Sequence, residues 1–303
     1  MQDESHATTI PVRTIVAALL PAWCGACASS RPLSDFTVAD CGASGYAVVP
    51  LTLDARLPVI PITIDGVEIP LTLDTGGFEA IAISRSALHN LDVKYTGGYV
   101  WSVGVRGLFS PSRSRVFVIP ELHIGGLRLA NIRGHEFTFA DLHLADKPPS
   151  ALKNGIVGLA LLQRFKLIID YPNSVCVLSI DGKFPPQYRP ETWPSCKVDV
   201  SDPNIGIQST IVAADRPLRC VWDTGASYSV IRAGIAEPTR QTRRSNHQFV
   251  RFSSLLLADH DCGPFEFAEF EFRQPPVDAI IGYNFFKEHA VFLDVENGVL
   301  AFD

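Results

Sequence analysis

The residues best suited to chemistry are two aspartates, each of which opens the same triplet. The triplets are Asp74-Thr75-Gly76 and Asp223-Thr224-Gly225. Each triplet ends an apolar run, LTL before the first and CVW before the second. An aspartate at the end of a buried strand is costly unless it has hydrogen-bond partners or gives up its charge. Two such carboxyls at close range would share one proton, and could activate water and protonate a leaving group.

The residues beside each aspartate suit this geometry. Thr75 and Thr224 can each hydrogen-bond the opposite loop, and Gly76 and Gly225 permit turns that a side chain would hinder. An Asp-Thr-Gly sequence is also an ordinary turn, and a single copy would favour that interpretation. The recurrence of the triplet favours a site built from two loops.

The repeat extends beyond the triplets. The segment GIVGLALLQRFKLIID in the first half is answered by AIIGYNFFKEHAVFLD in the second. From Gly158 to Asp170, and from Gly282 to Asp294, the spacing is twelve residues in both copies. With only two copies, the pattern predicts a duplicated lobe rather than a solenoid. The glycine of each segment predicts a strand that closely approaches an active-site loop.

Composition and patterning predict a mainly β protein of two lobes. The chain has 303 residues and a formal net charge of −6, which argues against a nucleic-acid partner. Strand-like runs separated by turn residues dominate the sequence. Short helices are predicted after Gly158, after Gly282 and near residues 85–90. The eight histidines form no ligand-spaced cluster, so no metal or other cofactor is expected.

The N-terminal residues are typical of a targeting segment. Arg13 precedes the apolar stretch TIVAALLPAWCGACA, which is too short to span a membrane and offers a cleavage site before Ser29. The pattern predicts export to the periplasm or secretion. Cys27 could instead be the lipidated cysteine of a bacterial lipoprotein, which would attach the protein to a membrane.

The repeat and the targeting segment predict the domain boundaries. These are a leader at 1–28, a loose segment at 29–45, a first lobe at 46–184, a Pro-rich linker at 185–194 and a second lobe at 195–303. An exported chain would retain five cysteines. Pairing of Cys220 with Cys262 and of Cys176 with Cys196 is considered, but spacing cannot fix connectivity.

The segments LTLDTGG with GIVGLALLQRF, and CVWDTGAS with AIIGYNFFKEH, resemble those of retropepsin-like and pepsin-like aspartic proteases. The resemblance covers roughly residues 46 to 303 and is greatest to bacterial aspartyl proteases that carry two retropepsin-like lobes on one chain. It implies an all-β, bilobal fold of closed barrels with pseudo-two-fold symmetry and a few short helices. It also implies that Asp74 and Asp223 are catalytic and that Thr75 and Thr224 brace them.

The same resemblance implies a flap, a hairpin that closes over the substrate. Residues 95–107 are the candidate, with Gly98 as a hinge and Tyr99 and Trp101 as apolar cover, although a plain hairpin would show the same composition. The corresponding run of the second lobe, TRQTRRSNHQ, lacks glycine and is interpreted as a solvated loop.

One position departs from the family pattern. Family members usually place Ser or Thr two residues after the glycine of the triplet, where its hydroxyl supports the aspartate. Ser227 fits in the second copy, whereas the first copy has Gly77 and Phe78. Two functions therefore stay open. One is an aspartic endopeptidase that cleaves extended peptides, and the other is a non-catalytic peptide-binding protein with the same fold. Because both lobes lie on one chain, a monomer is expected.

Overall fold

The structure, a computed structural model, describes residues 36–40, 44–102, 112–137, 150–202, 205–235, 240–244, 247–271 and 276–303. The predicted leader, Cys27 and Cys41 lie outside these residues. Among the residues described, no helix is long and apolar enough to cross a membrane.

Strands dominate both halves of the chain. The first half contains β1 (Thr37–Asp40), β2 (Tyr46–Pro50), β3 (Thr52–Asp54), β4 (Leu57–Ile64), β5 (Val67–Asp74), β6 (Ile81–Ser84), β7 (Lys94–Ser102), β8 (Ser112–Ile124), β9 (Leu127–Phe137), β10 (Gly155–Gly158), β11 (Lys166–Asp170) and β12 (Val175–Ser179). The second half contains β13 (Ser195–Lys197), β14 (Gln208–Ala213), β15 (Arg216–Trp222), β16 (Val230–Arg232), β17 (Arg240–Arg244), β18 (His247–Phe252), β19 (Leu255–Leu257), β20 (His260–Asp261), β21 (Phe265–Phe270), β22 (Ala279–Ile281), β23 (Ala290–Asp294) and β24 (Val299–Phe302).

Helices are few and short, as the sequence predicts. The α-helices are α1 (Arg85–Leu88), α2 (Leu159–Leu162) and α3 (Tyr283–Phe286), and two 3-10 helices cover Ser150–Lys153 and Pro190–Thr192. Helix α1 begins where the Ser84 side chain accepts a hydrogen bond from the Ala87 amide at 3.2 Å. Helices α2 and α3 each begin directly after the glycine of the repeated second motif. All three predicted helices are therefore confirmed.

Each half of the chain builds its own nine-stranded sheet. The first has the order β1-β9-β6-β10-β5-β4-β8-β7, with β3 on β4 and a further pairing of β8 with β9 that links six strands into a ring. The second follows the path β17-β18-β21-β16-β22-β15-β14-β19-β20, which does not close among the described residues. The all-β, two-lobed fold is thus confirmed, whereas a closed barrel in both lobes is not.

A third sheet joins the lobes. Its order is β13-β24-β23-β11-β12-β2, so three strands come from each half and the two halves meet where β11 pairs antiparallel with β23. On one face of this sheet Ile168 and Phe292 form a small apolar cluster. Phe184 packs against it, as do Tyr188 and Trp193 of the predicted linker. The linker therefore covers the shared sheet.

Hairpin turns with left-handed residues set the strand register. The β4–β5 turn uses Asp65 and Gly66, with φ of 52° and 75°, and the β14–β15 turn uses Ala214 and Asp215, with φ of 51° and 57°. Two such residues form the primed turns whose twist matches that of paired strands. These equivalent hairpins lead into β5 and β15, the strands that end beside Asp74 and Asp223.

Three sequence interpretations need correction. The segment predicted to be loose contains β1, which pairs with β9 while Phe36 enters the core. The run interpreted as a solvated loop contributes β17 and β18, because β18 completes its ladder on β21. The disulfides considered are not formed, and their thiols are free. Cys176, Cys196 and Cys220 lie on β12, β13 and β15, and Cys262 directly follows β20. The Cys220 thiol lies 3.3 Å from the Ser209 hydroxyl.

Candidate active site

The two triplet loops, residues 74–76 and 223–225, meet at the interface of the lobes. A Cβ added to Gly76 would lie 2.6 Å from the carboxyl carbon of Asp223. A Cβ added to Gly225 would lie 2.7 Å from the carboxyl carbon of Asp74. Each carboxyl therefore packs directly on the backbone of the opposite loop, at a distance that only glycine allows.

The threonines of the two loops hold each other in a reciprocal set of hydrogen bonds. The Thr75 amide donates to Oγ1 of Thr224 at 3.0 Å, and the Thr224 amide donates to Oγ1 of Thr75 at 3.0 Å. The Thr75 hydroxyl donates to the Trp222 carbonyl at 2.9 Å, and the Thr224 hydroxyl donates to the Leu73 carbonyl at 2.7 Å. We call this set the threonine lock. It joins residues far apart in sequence and fixes the loops in register.

The strands of the second motif support the triplet loops from the side. Strand β10 pairs in parallel with β5 so that Gly158 stands opposite Asp74, and β22 pairs in parallel with β15. The Asp223 amide donates to the Ile281 carbonyl at 2.9 Å. A Cβ on Gly282 would lie 2.6 Å from the Ala226 carbonyl oxygen, so this glycine permits the close approach that the sequence predicts.

Both carboxyls are buried and each receives one local hydrogen bond. Asp74 has no exposed surface and Asp223 only 3%. Oδ1 of Asp74 accepts from the Gly76 amide at 2.9 Å, and Oδ1 of Asp223 accepts from the Gly225 amide at 2.8 Å. Oδ2 of Asp74 is buried and receives no bond from an N–H or O–H donor of the described residues. A buried carboxyl oxygen in this position is favoured to carry a proton.

The pKa values of the two carboxyls are shifted by different causes, which decides which carboxyl holds the proton. Burial raises the pKa of Asp74 well above its usual range, and the neighbouring charges of Asp223 and Glu79 raise it further. Burial also raises the pKa of Asp223, but the hydrogen bond from Asp74 and those from backbone amides lower it. Asp74 is therefore the favoured holder of a shared proton, with Asp223 as the ionised partner.

The second lobe adds a polar network that the sequence did not reveal. The Ser229 hydroxyl accepts a hydrogen bond from the Gly282 amide at 2.8 Å, and the Ser229 amide donates to Oδ1 of Asn284 at 2.6 Å. Asn284 in turn donates to the Glu266 carbonyl at 2.8 Å. The serines of CVWDTGASYS are the only sequence signal for this network. They show a polar loop but not which partners it reaches.

A buried tyrosine lies near the dyad, the pair Asp74 and Asp223. Tyr171 follows β11, and its ring packs on Phe286 of the second lobe with centroids 5.5 Å apart. Burial raises the pKa of Tyr171 well above its usual value, and the charges of Asp223 and Asp74 contribute. Its hydroxyl has no hydrogen-bond partner among the described residues. No sequence signal pointed to this residue.

The remaining predicted site residues lie on the expected elements. Ser227 is buried, with 2% of its surface exposed, close behind the second triplet. Gly98, Tyr99 and Trp101 all lie on β7, which pairs with β8 in the predicted hairpin, and Tyr99 is 45% exposed. Residues 103–111, where the hairpin would turn, lie outside the described residues. Within the described residues no group of His, Cys, Asp and Glu is arranged to hold a metal ion.

Comparisons with known proteins were informative only for structure. No protein-family model and no curated protein sequence matches the chain. An aspartic proteinase from Irpex lacteus matches with a TM-score of 0.56 and 11% identity, covering 85% of this chain and 96% of its own. Conglutin gamma, a basic 7S globulin from lupine seeds, matches with a TM-score of 0.56 and 12% identity over 86% of this chain and 95% of its own.

The basic 7S globulin from soybean matches similarly, with a TM-score of 0.55, 12% identity, and coverage of 86% of this chain and 95% of its own. Identities this low establish the fold and leave the activity open. The three proteins carry different names, and the fold is common to them. The chain therefore has the two-lobed fold of the pepsin-like aspartic proteinases, with both triplet loops placed at the junction of the lobes.

Proposed function

We propose that this protein is an aspartic endopeptidase of the retropepsin-like kind, and that Asp74 and Asp223 hydrolyse peptide bonds through an activated water. The observation that carries the proposal is the mutual packing of each carboxyl on the opposite triplet glycine. The threonine lock supports it because it holds the two carboxyls at a fixed separation without using their own oxygens. A buried carboxyl pair with raised pKa values is the arrangement that shares one proton.

The proposed reaction uses the charge difference within the dyad. Ionised Asp223 takes a proton from water, whose oxygen attacks the scissile carbonyl, while Asp74 gives its proton to the carbonyl oxygen. The resulting gem-diol then collapses. Asp223 transfers its proton to the amide nitrogen, the C–N bond breaks, and one gem-diol hydroxyl returns a proton to Asp74. Both carboxyls recover their starting states, so the cycle balances without a metal or other cofactor.

The β7–β8 hairpin is the proposed flap. A register shift between Tyr95 and Tyr99 in β7 interrupts the ladder at Gly97 and Gly98, and Gly97 has a φ of 76°. Arg115 stands opposite Tyr99, beyond this interruption. Its side chain pairs with Glu136 at 2.5 Å, and its guanidinium lies 4.2 Å from the ring centroid of Tyr95 on the other side of the interruption. A hairpin interrupted by glycines is suited to close over an extended peptide.

A second candidate function is peptide binding without catalysis. It is favoured by Phe78, which stands where the second lobe has Ser227, and by structural similarity to two proteins whose names describe globulins. In this case the lobes and the cleft would serve recognition, and the dyad would be only a buried polar contact.

A cleavage assay with three forms of the protein separates these functions. Wild type, Asp74→Asn and Asp223→Asn are incubated with a mixed peptide library, and new termini are identified by mass spectrometry. The proposal expects cleavage by wild type alone, with each variant at least about 10³-fold slower, because a single asparagine cannot both hold and accept the shared proton. Equal behaviour of all three forms would support the binding function.

We also propose that the chain is exported, with peptides or proteins as its only macromolecular ligands, and that it works as a monomer. The apolar N-terminal stretch before Ser29 supports export, and Cys27 supports the alternative of a lipid anchor. Mass spectrometry of the mature N-terminus in a bacterial host distinguishes the two. A free terminus at Ser29 indicates secretion, a diacylglycerol mass on Cys27 indicates an anchor, and an uncleaved chain contradicts both.

A further inference from the structure

The two lobes differ at the fifth position after each proposed catalytic aspartate. This position holds Glu79 in the first lobe and Tyr228 in the second. In each lobe the carbonyl oxygen of this residue lies against the glycine of the second motif. A Cβ on Gly158 would overlap the Glu79 carbonyl oxygen, and a Cβ on Gly282 would lie 2.9 Å from the Tyr228 carbonyl oxygen. Glu79 and Tyr228 are therefore pinned equivalently beside their triplet loops, and their side chains can be compared directly.

The Tyr228 side chain is fully engaged within the protein. Its hydroxyl donates to Oε1 of Glu266 at 2.6 Å, and its ring meets Phe249 edge to face, with centroids 5.4 Å apart. From the first lobe, the guanidinium of Arg56 lies 5.8 Å from the Tyr228 ring centroid and 5.6 Å from that of Tyr283. A cation over two aromatic faces is a stabilising arrangement, so this position has both its polar and its apolar surfaces occupied.

The Glu79 side chain has no such partners. It is 9% exposed, and no hydrogen bond or ion pair joins its carboxylate to any of the described residues. Its backbone carbonyl is used, since it accepts from the Ala160 amide at 3.3 Å. Its charge acts on the carboxyl of Asp74, whose pKa it raises. A mostly buried carboxylate without a cation or donor is unfavourable compared with one that has such a partner.

We propose that Glu79 determines specificity by binding a cationic side chain of the substrate, the ammonium of Lys or the guanidinium of Arg, close to the scissile bond. This inference rests on the proposed endopeptidase function. The position of Glu79 beside the first triplet loop limits the recognised residue to the few that flank the cleaved bond. A bound cation would supply the ion pair that the protein itself omits, and it would offset the negative charge that Glu79 adds beside the dyad.

The proposal also predicts what the cleft rejects. An acidic side chain at the same position would add a third negative charge, next to those of Asp223 and Glu79. A neutral aliphatic side chain of similar length would fill the space but leave Glu79 without a partner. A site with a buried charged group discriminates between substrates more strongly than an apolar pocket that senses one methylene. The reason is that the wrong substrate leaves the charged group unpaired.

The test uses paired peptides that differ only in charge. A sequence cleaved by wild type is resynthesised with lysine or norleucine at each of the two positions on either side of the scissile bond. At one position we expect the lysine peptide to exceed the norleucine peptide in kcat/KM by at least about tenfold. Glu79→Gln should reduce this preference to less than about threefold. The matched control Glu121→Gln, an exposed residue already paired with Arg128 at 3.1 Å, should retain it. Circular dichroism and thermal melting establish that Glu79→Gln is folded.

Binding measurements keep this inference separate from the proposed reaction. Fluorescence anisotropy of the same labelled peptides with Asp223→Asn, alone and combined with Glu79→Gln, reports recognition without cleavage. If wild type cleaves no peptide, the same assay compares lysine and norleucine pairs drawn from the library. Better binding of the lysine peptides that is lost in Glu79→Gln then supports the subsite, while the enzyme proposal fails. A lysine preference that persists in Glu79→Gln overturns the subsite, as does the absence of any lysine preference in cleavage and binding. A change confined to the pH profile would likewise show that Glu79 only tunes Asp74.

Discussion

The two triplet loops share one backbone arrangement but are supported by different side chains. In both, a glycine amide binds the aspartate and a threonine crosses to the other lobe. Behind the second loop the Gly282 amide donates to the Ser229 hydroxyl at 2.8 Å. Behind the first, the equivalent Gly158 amide donates to the Ala80 carbonyl at 3.1 Å. The duplicated backbone is retained and the side chains around it differ, so the site is symmetric in its backbone and asymmetric in its side chains.

The sheet that joins the lobes likewise combines an equivalent backbone in the two halves with different side-chain partners. Asp170 and Asp294 end equivalent strands, and each accepts from the backbone and side-chain nitrogens of an asparagine three residues on, Asn173 or Asn297. The third partner differs, because Tyr188 donates to Asp170 at 2.8 Å whereas Lys166 pairs with Asp294 at 3.1 Å. Equivalent backbone turns have thus been kept while their outer partners have changed.

The largest effect is expected from removing the close approach of the loops. Gly76→Ala and Gly225→Ala would each place a methyl group within 2.7 Å of the opposite carboxyl carbon. The carboxyls must then separate, and we expect kcat/KM to fall by at least about 10²-fold in either variant. Gly126→Ala is the control, since a Cβ there meets nothing within 4 Å. Near-normal cleavage by one of the two variants would show that the loops are not equivalent.

A smaller but still severe effect is expected from breaking the threonine lock. Thr75→Val and Thr224→Val each keep the shape of the side chain but leave a buried amide and a buried carbonyl without partners. We expect each to lower the free energy of unfolding by about 2–5 kcal/mol. Urea denaturation measures it, with the exposed Thr210→Val as control. Clearly different losses for the two variants would contradict the symmetry of the lock.

Ser229→Ala tests the side-chain hydrogen bond that supports the second triplet loop and that the first loop lacks. It removes the acceptor of the buried Gly282 amide, whereas in the first lobe a backbone carbonyl fills that role. We expect a loss of about 1–3 kcal/mol in the free energy of unfolding. The exposed Ser195→Ala serves as the control and should change stability by less than about 0.5 kcal/mol. A loss no larger than that of the control would mean that the polar network of the second lobe adds no stability.

The smallest predicted effect concerns pH and the protonated carboxyl. Because burial raises the pKa of folded Asp74, the folded protein holds a proton that the unfolded chain releases. Stability from this proton is present at low pH and is lost as pH rises from the usual carboxyl range through the raised pKa. Asp74→Asn should therefore flatten the decline in unfolding free energy between pH 4 and pH 8, by on the order of 1–2 kcal/mol. Parallel urea-denaturation profiles for both forms would contradict a raised pKa.

Much of the fold followed from the repeated sequence. The paired Asp-Thr-Gly triplets, the glycine motifs and the three short helices were visible because each depends on local pattern and on the order of motifs along the chain. The strand β1 and the β17–β18 hairpin were missed because they form by pairing with β9 and β21, which are distant in sequence. Local sequence alone therefore predicted a loose segment and a solvated loop where these strands lie.

The sequence predicted the pair of aspartates in the candidate site but not the contacts of the side chains around them. A sequence shows that Asp74 and Asp223 recur in the same context, but not that Glu79 lacks a partner or that Arg56 reaches Tyr228 in the other lobe. Those facts depend on how two lobes pack. The considered disulfides failed for the same reason, since cysteine spacing carries no information about which strands lie side by side.

The central claim is that two carboxyls from separate lobes lie close enough to share one proton. Carbon-13 NMR of labelled aspartate side chains, followed across pH, tests it most directly. We expect the Asp74 and Asp223 resonances each to titrate in two coupled steps, with one step above the usual carboxyl range. In Asp223→Asn, Asp74 should titrate in one step at lower pH. Independent single-step titrations in wild type, unchanged by that substitution, would contradict the account.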